Sequence, residues 1–308
     1  IFSSHMKGIT KNMEVKEIDP IALNYQFTLH SVVPAPHTII KNIKKLEPGC
    51  TLTVSKKGKI SKKRYFDIND IQLNNYSNDE MNENISSLLS SAVEKRINIA
   101  DVPVGILLSG GLDSSLITAI SKKFENKINT YSIGFDTINN EEGNEFYYSD
   151  KIVANFRTVH EKYQISDLDL LMNLDEVILN MSEPMFSQDS SAFYLLARNV
   201  SNTTKVVMSG QGADEVFGGY FWYKKIMEEK NLNAIDTLSK YYFDRSYDSY
   251  KTIINKNFVE DNYAYNEIQS ILDQMNPDFD TLDKVFRLEL SMFIIDDPVK
   301  RVDNMTMS

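Results

Sequence analysis

The sequence is poor in cysteine and lacks any long apolar run. Cys50 is the only cysteine in 308 residues, so no internal disulfide can form and a reducing, cytoplasmic location is expected. Cys50 follows a Pro48-Gly49 turn, which favours a buried strand residue over a reactive thiol. No apolar stretch approaches the roughly 20 residues of a membrane-spanning helix, and we predict no membrane association.

Positive charge is also in the minority. The chain has 33 basic and 43 acidic residues, a net charge of −10, and the acidic residues are spread along the sequence. Because proteins bind a phosphate backbone through clustered positive charge, this balance predicts no nucleic-acid partner. The histidines are few and lack the spacing of a zinc site. They are His5, His30, His37 and His160.

Glycine is scarce, with 12 residues, but two loops use it heavily. The first loop runs from the apolar segment 102–108 into Ser109-Gly-Gly-Leu-Asp-Ser-Ser115. Gly110 and Gly111 let the backbone approach a ligand, and the N–H groups of the turn suit an anion such as pyrophosphate. A Walker loop is excluded because no Gly-Lys-Ser/Thr follows, and a dinucleotide fingerprint is excluded because a third glycine is missing. An ordinary strand-to-helix turn is the alternative.

Segments with strand character alternate with helical segments between about residues 100 and 210. Strands are predicted at 103–108, 129–135, 159–164 and 205–208, and helices near 115–124, 146–156, 167–181 and 190–200. The alternation predicts an α/β fold with a doubly wound parallel sheet. Both glycine loops then lie at the C-terminal ends of strands, where such sheets bind ligands.

The flanking regions have different patterns. Residues 1–67 alternate like strands and include a hairpin turn at Lys57-Gly58, while residues 68–78 are polar and indicate a linker. A helix is predicted after this linker, with Asn78 or Asp79 as its N-cap. From residue 221 onward the sequence indicates helices rich in tyrosine and phenylalanine.

The second glycine loop is Ser209-Gly-Gln-Gly-Ala-Asp-Glu-Val-Phe-Gly-Gly-Tyr220, which carries acids at Asp214 and Glu215. With the first loop about a hundred residues earlier, it resembles the synthetase half of the glutamine-dependent asparagine synthetase family. That family belongs to the ATP pyrophosphatase group, whose enzymes cleave ATP between its α and β phosphates. Further segments share the resemblance. They are 35–49, 64–67, 131–136, 182–185 and 300–307.

The resemblance implies two domains. Residues 1–67 are similar to the C-terminal part of the family's glutaminase domain, and residues 68–308 to its ATP-dependent synthetase domain. The family's glutaminase nucleophile is an N-terminal cysteine, whereas residue 1 is Ile, so the resemblance implies a glutaminase domain or subunit outside this chain. The family also continues past the position of Ser308, and we expect both ends to be truncated.

The resemblance further implies an amide-forming ligase that activates a carboxylate, with aspartate favoured, for attack by ammonia derived from glutamine. Asp113 and Asp214 would hold Mg²⁺ and, with Gln211, form the catalytic set. The pyrophosphate site would comprise Ser109, Gly110, Gly111, Asp113, Ser114 and Ser115. The adenosine site would comprise Leu107, Ile133, Ser209 and Gly210. Simpler interpretations are a helix N-cap for Asp214 and plain sheet core for Leu107 and Ile133.

Some residues depart from the family pattern. Gln211 stands where well-studied asparagine synthetases have glutamate, and an amide cannot take up a proton at neutral pH. The stretch Gln188-Asp-Ser-Ser191 lacks the Thr-Thr-x-Arg run that binds aspartate in some members. Arg198 could substitute, although a solvated helix face explains it more simply. Tyr220, Trp222 and Tyr223 are candidates to line the acceptor pocket.

Two alternatives to an aspartate-specific ligase therefore stay open. One is an amidotransferase that acts on another carboxylate, such as a sugar acid or a β-lactam precursor. The other is a catalytically incomplete module that binds ATP and Mg²⁺ but needs missing segments, or a partner subunit, to do chemistry. Neither oligomeric state nor acceptor is fixed by the sequence, and a homodimer is an open alternative.

Overall fold

The computed structural model describes residues 1–14, 16–71, 74–137, 143–185, 187 and 189–307. Gln188 and Ser308, which enter the sequence predictions, lie outside these residues, as do positions 72 and 73 of the predicted linker. Within the described ranges, no helix has both the length and the apolar character needed to cross a membrane.

The N-terminal region contains helices as well as strands. Its elements are α1 (Met6–Thr10), α2 (Pro20–Thr28), β1 (Cys50–Val54) and β2 (Ile60–Arg64). The two strands form the predicted antiparallel hairpin, whose turn includes Gly58 at φ 77°. The strand prediction for the rest of residues 1–67 is wrong, because the Asp19 carboxylate accepts the Ile21 N–H at 2.9 Å and Pro20 occupies the first helical turn of α2.

A short 3₁₀ turn (Ile68–Asp70) precedes the long helix α3 (Asn78–Ile99). The helix was predicted, but its N-cap is Ser77 and not Asn78 or Asp79. The Ser77 hydroxyl accepts the Glu80 N–H at 3.3 Å, and the Glu80 carboxylate accepts the Ser77 N–H at 2.9 Å. This reciprocal capping box satisfies two backbone donors that a helix start leaves free.

The predicted parallel sheet is confirmed. Its strands are β3 (Val104–Leu107), β4 (Asn129–Phe135), β5 (Val159–Ile165) and β6 (Val206–Met208). The helices that connect them are α4 (Leu112–Ser121), α5 (Phe146–Phe156), α6 (Asp167–Asn180) and α7 (Asp189–Val200). The strand order is β5-β4-β3-β6, with every neighbouring pair parallel. From β3, the chain adds β4 and then β5 on one side, and it then crosses to the other side of β3 to form β6. The strand order therefore reverses between β3 and β6, which is the switch point of the sheet.

The remaining chain is mostly helical, as predicted. The helices are α8 (Ala213–Phe217), α9 (Phe221–Glu228), α10 (Ala234–Tyr241), α11 (Tyr247–Ile253), α12 (Tyr263–Gln274), α13 (Thr281–Leu288) and α14 (Lys300–Thr306). Two π-helical stretches, Glu289–Phe293 and Ile295–Val299, connect α13 to α14. Buried apolar side chains of α2 and of the helices after residue 220 share one core, which includes Leu29, Leu238, Ile268 and Leu288.

The chain divides into two compact units, which we call the helical unit and the sheet unit. The helical unit comprises residues 1–72, 181–186 and 212–301, and the sheet unit comprises residues 73–180, 187–211 and 302–308. Packing thus groups the first 72 residues with the later helices. The predicted domain boundary between residues 67 and 68 was drawn from sequence resemblance and stays a prediction.

Candidate active site

The first glycine loop turns sharply between β3 and α4. Gly110 has φ 93°, and a Cβ at this position would lie 2.5 Å from the Ser149 backbone nitrogen and 2.6 Å from Cβ of Tyr148. Gly111 is the N-cap of α4, and a glycine cannot cap the helix with a side chain. The first N–H groups of α4 therefore face the loop, where they can bind an anion.

Hydroxyl groups surround this turn. Oγ of Ser109 accepts the Gly111 N–H at 3.2 Å and lies 3.1 Å from Oγ of Ser114. Ser114 also donates to the Gly111 carbonyl at 3.3 Å. Oγ of Ser115 is buried and has no hydrogen-bond partner among the described residues. The structure thus brings Ser109, Gly111 and Ser114 together, and it leaves an unsatisfied hydroxyl on the same helix turn. Their binding of pyrophosphate stays a prediction.

The start of the second glycine loop packs against the first loop. Strands β3 and β6 pair in parallel register, with Val104 opposite Val206 and Ile106 opposite Met208. Just beyond β6, a Cβ at Gly210 would lie 2.8 Å from Cβ of Asp113 and 3.1 Å from the Ser114 backbone nitrogen. Only glycine allows this approach. Within the sheet unit, the start of the second loop therefore lies beside the first loop, at the C-terminal ends of β6 and β3.

The proposed adenosine residues lie on these strands. Leu107 ends β3 and Ile133 lies within β4, and both are half-buried against a cluster of Tyr131, Leu196 and Val200. Half-burial fits sheet core and partial contact with a ligand equally well. Direct contact of either residue with adenosine stays a prediction.

Asp214 belongs to the helical unit and lies in the first turn of α8. Gly212, at φ 90°, is the N-cap of this helix, so the interpretation of Asp214 as the N-cap is wrong. Gly219 packs on the Asp214 side chain, because a Cβ there would lie 1.9 Å from Oδ1 of Asp214. The half-buried carboxylate is thus held in a tight turn that the Gly219 N–H closes with a 2.9 Å bond to the Asp214 carbonyl. Shared binding of one ion by Asp113 and Asp214 stays a prediction.

The acid next to Asp214 has a structural partner. Glu215 is 2% exposed, and its Oε1 accepts the Tyr220 hydroxyl at 2.6 Å. Tyr220 stacks on Trp222 with ring centroids 4.1 Å apart, whereas Tyr223 is buried in the helical core and stacks on Phe286 at 4.9 Å. The aromatic residues predicted to line an acceptor pocket thus form a stack within the helical unit, and a role at the acceptor stays a prediction.

The structure also contains a buried charge cluster for which the sequence suggested no role. Nζ of Lys45 lies 3.0 Å from Glu183 and 2.8 Å from Asp296, and Nζ of Lys300 lies 3.2 Å and 3.3 Å from the same two carboxylates. Glu183 also accepts the Ile39 N–H at 2.8 Å. Burial alone would raise the pKa of Glu183, but Lys300 and Lys45 hold it below its usual value. Lys45, Glu183 and Lys300 lie in the segments 35–49, 182–185 and 300–307 that share the family resemblance, but no pairing among them was predicted.

The first loop fits a nucleotide phosphate. Its turn has glycine positions that side chains would fill, a helix start without a side-chain cap and the unsatisfied Ser115 hydroxyl. Across the described part of the chain, no cluster of three or more His, Cys, Asp or Glu side chains is arranged to hold a metal ion. Mg²⁺ commonly uses one or two protein carboxylates and completes its shell with phosphates and water.

The positions of Arg198, Cys50 and Gln211 bear on their predicted roles. The Arg198 side chain is about half exposed, lies 3.9 Å from Glu176 and donates to Asn173 at 2.5 Å, as expected for a solvated helix face. Cys50 starts β1 and is half-buried, so the strand is confirmed while the burial is only partial. Gln211 is exposed directly after Gly210.

The sequence is similar to two known families. The sequence model described as asparagine synthase matches residues 84–308, and the one described as glutamine amidotransferase domain matches residues 1–66. Asparagine synthetase [glutamine-hydrolyzing] 3 of Bacillus subtilis is 32% identical over 241 residues, which are 72% of this chain and 38% of that protein. Putative asparagine synthetase [glutamine-hydrolyzing] 2 of Methanocaldococcus jannaschii is 34% identical over 226 residues, 71% of this chain and 42% of that protein.

The chain thus spans about two fifths of the length of these relatives. Among solved structures, an NMN synthetase from Francisella tularensis is similar at 14% identity and a TM-score of 0.35, covering 68% of this chain and 92% of that one. This score is low, and the fold assignment rests on the strand order described above. The asparagine synthase match covers more than half of the 308 residues. The chain therefore belongs to the asparagine synthase family.

Proposed function

We propose that this chain uses ATP to convert a carboxylate, aspartate in the first instance, into an acyl adenylate that ammonia then attacks. The observation that carries the proposal is the packing of Gly210 against Asp113 and Ser114 at the switch point of the sheet, beside the Gly110 turn. Parallel sheets bind ligands at such switch points. Membership of the asparagine synthase family supports the reaction class, because the similar proteins are named as asparagine synthetases.

Each part of the first loop has a role in this reaction. Ammonia does not displace hydroxide from a free carboxylate, so the carboxylate oxygen must first carry a better leaving group. The N–H groups at the start of α4 and the hydroxyls of Ser109, Ser114 and Ser115 would hold the departing pyrophosphate. Leu107 and Ile133 would contact the adenine, and Ser209 and Gly210 would contact the rest of adenosine.

Asp113 and Asp214 would supply the ligands for Mg²⁺. When bound beside the phosphates, the ion would offset the negative charge that develops on the leaving group. Gln211 would contribute hydrogen bonds next to Gly210 but no proton transfer, because an amide does not titrate near neutral pH. The proposal thus assigns phosphate binding to backbone donors and hydroxyls, Mg²⁺ binding to carboxylates and hydrogen bonding to one neutral amide.

The nitrogen source and the domain organisation belong to the same proposal. Residues 1–67 would form the C-terminal part of a glutaminase domain and residues 68–308 the synthetase domain. The glutamine amidotransferase match over residues 1–66 supports the first assignment. A glutaminase domain or a separate subunit would release ammonia from glutamine. The single cysteine supports a cytoplasmic location.

Calorimetric titration with ATP, with and without Mg²⁺, tests the nucleotide site. We expect Asp113→Ala to weaken Mg²⁺-dependent ATP binding about tenfold, because one hard oxygen ligand is lost. Asp175→Ala, at an exposed acid in α6, is the matched control and should bind like the unmodified protein. A folded protein that does not bind ATP, or that binds it equally well without Mg²⁺, would contradict the proposal.

The products of ATP cleavage test the chemistry. Incubation with labelled ATP, aspartate and ammonium should give AMP and pyrophosphate, because an acyl adenylate forms by attack on the α phosphate. The loop has no lysine to reach the β and γ phosphates as a Walker loop does. ADP as the main product would refute the adenylate mechanism. AMP formed only with another carboxylate would retain the mechanism and replace aspartate.

A further inference from the structure

The connection between α6 and α7 is held by the helical unit. Residues 181–186 group with the helical unit, whereas the two helices that they join belong to the sheet unit. Glu183 and Pro184 lie at the centre of this connection, and Glu183 is only 3% exposed. Because loops between helices usually run over the surface and keep their charged groups in water, a buried acid here requires an explanation. We call residues 181–185 the connecting segment.

The Glu183 carboxylate is the first anchor of the connecting segment. Its Oε1 accepts the Ile39 N–H at 2.8 Å. Its Oε2 accepts Nζ of Lys45 at 3.0 Å and Nζ of Lys300 at 3.2 Å. Both oxygens therefore have donors, and the donors Ile39 and Lys45 come from the N-terminal region. Removing one partner of a buried ion pair leaves an uncompensated charge, so this anchor depends on Lys45.

The next residue provides a second, uncharged anchor. The Pro184 carbonyl accepts Nε2 of Gln26 at 2.7 Å. Gln26 lies on α2 and is 2% exposed, so this hydrogen bond is shielded from water. Two adjacent residues of the connecting segment are thus fixed from two separate places, α2 and the stretch from Ile39 to Lys45. A segment held twice in this way has a defined backbone position.

The connecting segment leads into the first turn of α7. The Ser187 carbonyl accepts the Ser190 N–H at 3.2 Å, and Oγ of Ser187 accepts the Asp189 N–H at 3.3 Å. Ser190 is fully buried, and its Oγ has no hydrogen-bond partner among the described residues. A hydroxyl at the start of a helix can donate to a carboxylate, and the helix dipole also favours negative charge there. The chain after Pro184 therefore connects the two anchors to a place suited to the carboxylate acceptor.

We propose that Lys45 and Gln26 position the carboxylate acceptor, because they hold the connecting segment and so fix the chain that enters α7. Both residues act through Glu183 and Pro184, so they are positioning residues and not catalytic ones. The inference rests on the proposed function, from which it takes the acceptor. It adds that residues of the predicted glutaminase part, 1–67, control a substrate site of the predicted synthetase part.

Calorimetric titration with aspartate tests this role in the presence of Mg²⁺ and α,β-methylene-ATP, an analogue that is not cleaved between its α and β phosphates. Lys45→Met keeps an unbranched side chain and removes its charge. We expect its affinity for aspartate to fall about tenfold, while its affinity for the analogue changes by less than about twofold. Lys45→Arg should restore most of the affinity for aspartate. Lys41→Met is the matched control, because Lys41 pairs with Glu17 at the surface at 3.2 Å, and it should bind aspartate like the unmodified protein.

Amide hydrogen exchange separates positioning from general destabilisation. In Lys45→Met, exchange of the connecting segment should accelerate at least about tenfold, while α12, which packs in the core of the same unit, should exchange as in the unmodified protein. If Lys45→Met does not fold, Gln26→Leu takes its place in both measurements.

Several outcomes would refute the inference. They are an unchanged affinity for aspartate in the folded variant, an equal loss of affinity for the analogue, and faster exchange of α12. An unmodified protein that binds the analogue but not aspartate refutes this inference alone. One that binds neither refutes the proposed function together with it.

Discussion

Both glycine loops place an aspartate in the first turn of a helix, but different interactions hold the two helices. Asp113 and Asp214 each occupy the second position of a helix that begins after a glycine, Gly111 and Gly212 respectively. A further glycine packs directly on each acid, Gly210 on Asp113 and Gly219 on Asp214. In both loops, the helix start orients the carboxylate and the neighbouring glycine leaves room for it.

The loops differ in what holds the helix itself. Helix α4 has 10 residues and buries Ile120 in the sheet unit with Ile106 and Met208. Helix α8 has only five residues, too few to be stable through its own packing. It is held by the Tyr220–Glu215 hydrogen bond and the backbone bond from Gly219 to Asp214. The comparison shows that apolar packing holds the helix that carries Asp113, whereas hydrogen bonds hold the helix that carries Asp214.

Among the variants that test this comparison, Gly110→Ala in the first loop should have the largest effect on stability and ATP binding. The variant combines a left-handed backbone with a Cβ 2.5 Å from the Ser149 nitrogen, so we expect a loss of about 2–4 kcal/mol in the free energy of unfolding and at least about tenfold weaker ATP binding. Urea unfolding and calorimetry measure both effects. Gly58→Ala is the control, because φ is 77° there but no described atom lies within 4 Å of the new Cβ, and it should cost about 1 kcal/mol. Equal losses in the two variants would show that steric contact does not define the first loop.

Tyr220→Phe should have the next largest effect, confined to the second loop. The variant leaves buried Glu215 without its 2.6 Å donor, so the free energy of unfolding should fall by about 2 kcal/mol. Tyr65→Phe, at a residue that is 68% exposed, should change it by less than about 0.5 kcal/mol. Urea unfolding compares the two. No difference between them would mean that the hydrogen bond does not hold α8.

Gly219→Ala should affect function more than stability. The new Cβ would lie 1.9 Å from Oδ1 of Asp214, and the flexible carboxylate can rotate away. We therefore expect AMP formation to fall about tenfold, equivalent to about 1.4 kcal/mol of transition-state stabilisation, with an unfolding curve close to that of the unmodified protein. Asp214→Asn is the reference and should reduce AMP formation in the same manner. Full activity of Gly219→Ala would show that AMP formation does not depend on the position of the Asp214 carboxylate.

Local patterns in the sequence were sufficient for the sheet and the first loop. An apolar, β-branched run precedes Ser109, and two glycines follow it. These neighbouring residues are enough to predict the strand β3 and the tight turn at Gly110. The alternating pattern of residues 1–67 predicts strands, whereas Asp19 and Pro20 form a local capping signal that starts helix α2. The N-cap of α3 lies one residue before the predicted Asn78, because Ser77 and Glu80 form a capping box.

Features that depend on distant residues were not predictable in this way. The ion pair of Lys45 and Glu183 joins residues 138 positions apart, and no spacing rule relates them. The partnership of Glu215 with Tyr220 is local, yet the sequence alone gave no reason to prefer it to a solvated acid. The joint role of Asp113 and Asp214 stays a prediction.

The buried charge cluster bears on how this protein can be divided for experiment. Lys45 precedes the predicted boundary at residues 67 and 68, whereas Glu183, Asp296 and Lys300 follow it, and the four side chains form one neutral group. A recombinant fragment starting at residue 68 would retain two buried carboxylates with one ammonium group, and it would also lose the Ile39 N–H donor. A fragment that starts at the boundary predicted from sequence resemblance should therefore be less stable. A stable fragment should include the segment from Asp19 to Lys45.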